Sequence, residues 1–261
     1  MEDLDYETHL EHCKRLFGYY ADNPDIDKKE TLKSAKEEAD HHHALCIFDP
    51  LRKLICTITS ASENLAIKDA KYFLLYGAAR RANLIFSAYQ DIRSIAYEKR
   101  TQPLSPDEQV SLSQAINNTY IHLLGILDNF AWSLLHERQG KLADTMYRND
   151  VGLFSKKFRK QCIAYLEIAA EIEWHDTWHK EVKERRNPVA HGIPLYVPPA
   201  ALTADQAEAT FGQLDSIGSF LPYFIHHPDE PLIPIYPTIP TDLSHLIRIW
   251  GTISTALLKK N

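Results

Sequence analysis

One stretch, Glu184-Arg185-Arg186-Asn187-Pro188-Val189-Ala190-His191-Gly192, gathers side chains suited to phosphate chemistry. Arginine offers a permanently charged planar fork that matches two phosphate oxygens. Histidine is the side chain whose ordinary pKa suits proton transfer near neutrality. A carboxamide such as Asn187 can position a phosphate or orient an imidazole. On a helix, Asn187 and His191 differ by about 40° and share a face, while Arg186 and His191 stand about 140° apart. Pro188 has no N–H and its ring clashes with the carbonyl four residues back, so the backbone is expected to bend between Arg186 and His191 and bring the two side chains together. RNA supplies its own nucleophile, the ribose 2′-OH. Cleavage by that route needs a base, an acid and positive charge at the phosphoryl transition state, and no cofactor.

The run Arg186-Asn187-Pro188-Val189-Ala190-His191 resembles the Arg-x4–6-His signature of the HEPN superfamily, whose commonest form is Arg-Asn-x3-His. The likeness spans roughly residues 65–260 in architecture and only the motif in chemistry. It implies an all-α fold, a HEPN-like helical bundle, and a metal-independent endoribonuclease with Arg186, Asn187 and His191 as its catalytic residues. One histidine cannot easily make both proton transfers. Two motifs face to face in a homodimer, the arrangement the resemblance implies, would supply the second set. A defence or toxin role, with an antitoxin or other regulatory protein as partner, is part of the same expectation. Other members of the superfamily keep the motif without activity, so a non-catalytic protein that binds RNA or nucleotide, or acts as a scaffold, is the alternative.

Further residues fit around this motif. Lys180, Lys183 and Arg185 are expected to contact RNA, and Tyr196 to stack on a base. Lys156, Lys157, Arg159 and Lys160 read better as a solvated helix face. Asp128 and Asn129 fall mid-helix in an apolar seam and are given an accessory role, because a buried polar pair needs partners. His175 and His179 have the i, i+4 spacing of a zinc site. Aspartate follows His175 where a metalloprotease has glutamate, no third ligand is evident, and Trp174 and Trp178 flank the pair. They are expected to be structural or superficial, with metal-dependent hydrolysis as the less favoured reading. The tract His41-His42-His43 points in three directions on a helix and reads as surface.

The elements that must position the motif are helices. Nine glycines among 261 residues argue against a fold rich in tight β turns. A 44% hydrophobic content allows a sizeable core, and the formal net charge of −6 means that any RNA site must be a local basic patch. The four cysteines are scattered without a C-x-x-C pair, as expected of free thiols in the cytoplasm. No run of about 18 apolar residues suggests a membrane span, and the acidic N-terminus does not read as a secretory signal.

Helices are expected over residues 5–21 and 27–45. Residues 46–60 are ambiguous between helix and a short strand or hairpin. A long run covers residues 62–99. A capping box, Ser105-Pro106-Asp107-Glu108, starts a helix whose seam is Ile116, Tyr120, Leu123, Leu127, Phe130 and Leu134. A third run goes from Ser155 to Arg186, with a kink allowed before Trp174. A second capping box at Thr203 leads into Phe211, Leu214, Leu221 and Ile225. Pro228, Pro231, Pro234, Pro237 and Pro240 are expected to hold 227–240 as an extended surface segment before a last helix capped by Thr241-Asp242. The division drawn is an N-terminal extension, 1–60, and the bundle, 61–261.

Overall fold

The computed structural model describes residues 28–97, 104–192, 194–198, 223–226 and 233–259, without the side chains of 28–35 and 188–191. The helices expected at 5–21 and after Thr203, up to residue 222, lie outside the described residues. What is described is all-α apart from two two-residue strands. Helix α1 (Lys28–His43) passes through a π-helical turn (Ala44–Phe48) into α2 (Asp49–Asn64). After a break come α3 (Lys68–Tyr72), a π-helical segment (Phe73–Ala79) and α4 (Arg80–Ile95). Helix α5 (Pro106–Ala143) is the central column. Four helices follow: α6 (Lys156–Gln161), α7 (Ile163–Leu166), α8 (Ala169–Glu173) and α9 (Asp176–His191). Strands β1 (Tyr223–Phe224) and β2 (Ile233–Pro234) pair antiparallel before α10 (Ile235–Leu258).

The α5 capping box forms as read: Glu108 N–H donates to Ser105 Oγ at 3.3 Å and Ser105 N–H to Glu108 Oε2 at 2.7 Å. All six seam residues of α5 are buried. Residues 46–60 are helix, not strand. Ile47, Leu51, Leu54, Ile58 and Ala61 recur at helical spacing and are buried in the main core. That burial outweighs the strand preference of the β-branched residues. Thr57 and Thr59 turn their hydroxyls back onto the carbonyls of Lys53 and Ile55. The boundary drawn at residue 60 thus falls inside α2, whose buried face shares one core with the bundle. The run 62–99 is interrupted at Leu65–Ile67, where Glu137 accepts from the Ala66 and Ile67 N–H groups at 2.8 and 3.0 Å.

The run from Ser155 is four helices, not one. Cys162 is extended (φ −82°, ψ 106°), and the Gln139 carboxamide fills the gap: its Oε1 accepts from Ile163 N–H and its Nε2 donates to the Gln161 carbonyl. The proline segment also differs from expectation. Residues 235–240 are buried, and α10 takes regular helical form after Tyr236, which is extended. Pro237 opens the regular helix, where its missing N–H is not needed, whereas Pro240 lies inside the helix and costs it one backbone hydrogen bond. Thr241 and Ser244 hydroxyls donate back to Pro237 and Pro240 carbonyls, so neither Thr241 nor Asp242 is a cap. Ile225, expected on a helix, instead exchanges backbone hydrogen bonds with Tyr196. No helix among the described residues is long and apolar enough to cross a membrane.

Candidate functional site

The expected break at Pro188 is absent, and α9 runs through it as one helix to His191. The carbonyl that loses its partner belongs to Glu184, an exposed residue where solvent can satisfy it. Arg186 and Asn187 therefore stay on one regular helix, with position 191 one turn beyond Asn187. The His191 side chain lies outside the described residues.

Helix α9 has two working faces. Trp178, Val182 and Arg185 recur at i, i+4 and i+7 and turn to the interior. Arg185, expected among the RNA contacts, gives Nη1 to Asp242 Oδ1 and Oδ2 at 3.0 and 2.8 Å and Nη2 to Glu181 at 3.2 Å. Asp242 is 2% exposed and also accepts from Tyr120 Oη at 2.8 Å and Trp178 Nε1 at 2.9 Å. Burial works against the Arg185 charge, but Asp242, Tyr120 and Glu181 outweigh it and raise its pKa. This arginine is structural, because every nearby acceptor already holds it.

The neighbouring face carries His179, Lys183, Arg186 and Asn187 within an arc of about 100°. All four line a cleft between α9, the middle of α5 and the loop 146–155. Two adjoining cavities, about 370 and 1090 Å³, share Asp128, Asn149, Lys183, Arg186 and Asn187 as walls. The larger one reaches Arg81, Arg148 and the ring pair Phe73–Trp132, stacked at 5.3 Å and 13°. Four basic side chains thus face one carboxylate, Asp128, in a chain of net negative charge.

These groups are poorly satisfied. Arg186 Nε is buried with no hydrogen-bond partner. The side chains of His179, Lys183, Asn187 and Asp128 make no hydrogen bond with any described residue. Burial pushes the Asp128 carboxyl above its ordinary pKa, and the charges of Arg186 and Arg81 pull it partly back. Arg81 is better held, with Nη1 3.1 Å from His122 Nδ1. Burial and that same arginine hold His122 below its ordinary value, which suits a neutral ring accepting from the guanidinium.

Two glycines make room for the walls. A Cβ at Gly125 would stand 2.6 Å from Arg81 Cζ, and one at Gly77 would collide with the Asn129 carboxamide. Asn129 donates to the Gly125 carbonyl and lines the larger cavity. Both accessory residues, Asp128 and Asn129, are therefore at the cleft. Lys183 joins Arg186 and Asn187 there, whereas Lys180 is exposed outside its lining. Tyr196 lines a separate groove with Val110 and Asn117.

The two spaced histidines part company. His175 is buried, its Nδ1 2.7 Å from His245 Nδ1, with Trp178 stacked on the His245 ring. His179 lies flat on Phe154, centroids 3.9 Å apart and 6° from parallel. Of the second basic cluster, Lys157 pairs with Asp150 and Arg159 with Asp176. Arg81, Arg148 and the cleft position of His179 were not evident in the sequence. The available signal was the glycine inside each of two helical runs, since helix-interior glycine is unfavourable by about 1 kcal/mol and marks a close approach.

No family model matches the chain, and no curated protein or solved structure matches it either.

Proposed function

We propose that the cleft binds a phosphodiester of RNA and that the chain is a metal-independent endoribonuclease of the HEPN type. The observation that supports this most is Arg186. Its Nε–H is buried without an acceptor, in a cavity it shares with Lys183, Arg81 and Arg148. A charged donor left unsatisfied is costly, and a phosphate oxygen would satisfy it with charge-assisted bonds. The transition state of phosphoryl transfer gathers charge on its equatorial oxygens, which Arg186 and Lys183 are suited to stabilise. Asn187 beside them offers amide donors, and His191, one turn on, carries a proton transfer. In this reading the chain works in the cytoplasm, as a toxin or defence nuclease held in check by an antitoxin or other regulatory protein. A homodimer is the arrangement that would pair two motifs.

The test is to incubate the purified protein with mixed RNA and with DNA, with and without a chelator. RNA should be cut regardless of chelator, leaving 2′,3′-cyclic phosphate and 5′-hydroxyl ends, and DNA should survive. Chelator-sensitive cleavage would turn the reading to metal hydrolysis. RNA that is bound but intact would leave the non-catalytic binding protein.

A further inference from the structure

We propose that His179 is the general base of this site and takes the 2′-OH proton. The inference rests on the ribonuclease reading and adds to it the group a single motif lacks.

Position comes first. His179 precedes Arg186 by seven residues, about 20° from it around α9, with Lys183 between them on the same stripe. His179, Lys183, Arg186, Asn187 and Asp128 line one cavity. The imidazole is fixed by its face, flat against Phe154, and this leaves its edge unengaged. Neither ring nitrogen is hydrogen-bonded to a described residue, and neither is sealed away as a buried orphan. His175, one turn earlier, has the opposite character: buried, and bonded to His245. A histidine kept only for packing gains nothing from two free nitrogens beside a phosphate-binding guanidinium.

The chemistry balances without a cofactor. The 2′-oxygen bonds to phosphorus as its proton passes to a His179 nitrogen. The bond from phosphorus to the 5′-oxygen breaks, and that oxygen takes a proton from the motif histidine of the paired chain, since His191 of the same helix stands about 18 Å along the axis from His179. The products are the cyclic phosphate and the 5′-hydroxyl, and solvent returns each histidine to its starting state. His179 suits the accepting role because it is neutral at pH 7. Burial, then Lys183 and Arg159, lower its pKa to about 4, against the opposing charge of Asp176. Asp128 of α5 faces it across the cavity, and Arg186 lies two turns on along the same helix face. A bound phosphodiester adds negative charge and raises that pKa toward neutrality, where a general base is most effective.

The experiment is cleavage of mixed RNA by wild type, His179→Phe, His179→Ala and Asp128→Asn, each with its pH–rate profile and thermal midpoint. His179→Phe keeps a ring against Phe154 and removes only the nitrogens. It should keep the wild-type midpoint and lose about 10²-fold or more in rate, together with the acid limb of the profile. Free imidazole should restore part of the rate to His179→Ala, in proportion to its unprotonated form. An active wild type with His179→Phe within a few-fold of it would overturn this assignment and leave the ribonuclease reading standing. An acid limb that survives in His179→Phe and disappears in Asp128→Asn would move the base to Asp128. A wild type that cuts no RNA would overturn both.

Discussion

Arg185 and Arg186 are adjacent in the chain and opposite in circumstance. Arg185 is closed into an ion pair with Asp242, whereas Arg186 keeps a buried Nε–H without an acceptor. Substituting them should therefore do different things. Arg186→Ala should leave folding intact, because no protein acceptor loses a partner, and reduce RNA cleavage about 10²–10³-fold, as for removal of one transition-state donor. Arg186→Lys should recover only part of that loss, since an ammonium lacks the fork. Single-turnover rates with circular dichroism as a folding control decide it. A wild-type rate in Arg186→Ala would remove Arg186 from the site. At this scale the sequence was half legible. Arg186, Asn187 and Lys183 could be chosen from the motif and its spacing. Arg185 could not be told from its neighbour, because its role depends on a carboxylate far along the chain. His179 looked like half of a metal pair until Phe154 and the loop bearing it were placed beside it.

The walls of the cleft are made by whole helices approaching closely, and glycine is what permits it. Gly125 lets the Arg81 guanidinium lie across α5, and Gly77 admits the Asn129 carboxamide. Gly125→Ala should separate stability from binding. The added methyl meets the far end of a flexible side chain, which can move away. Helix propensity gains about 1 kcal/mol in return, so the unfolding midpoint should hold or rise. Arg81 would leave the cleft, and RNA affinity should fall several-fold and with a weaker dependence on salt. Unchanged affinity, measured by fluorescence anisotropy over a salt series, would show that Arg81 makes no contact with the ligand. The periodicity of α5 and its capping box were readable because both are local. The break at Cys162 was not, since the Gln139 side chain that satisfies it comes from α5, 24 residues before Ile163. The early start of α10 was missed for a related reason. A proline count signals an extended chain, but Pro237 stands at the opening position, where a helix accepts it, and the burial of residues 235–240 holds the helix through Pro240.

At the scale of the molecule, one carboxylate fixes how three helices sit. Asp242 on α10 binds Arg185 and Trp178 of α9 and Tyr120 of α5 in a buried knot. Arg185 also lies over the Tyr120 ring, 5.8 Å from its centroid. Because α9 and α5 are the two long walls of the cleft, this knot sets the spacing between Arg186 and Asp128 from the far side of α9. Asp242→Asn leaves the shape almost unchanged and removes the charge. Arg185 would then be a buried cation without its counter-charge, a defect that typically costs about 3–5 kcal/mol. Arg185→Met with Asp242→Leu removes both charges together and should cost much less than the single change, though Trp178 and Tyr120 each lose an acceptor. Urea unfolding of the single and double variants tests this. If Asp242→Asn costs under about 1 kcal/mol, the knot is not what holds α9 to α10 and α5. If it costs the expected amount, RNA cleavage should fall in the single variant even at temperatures where it remains folded. The loss should recover in the double variant to the extent that α9 returns to its place, since neither Arg185 nor Asp242 lines the cleft itself.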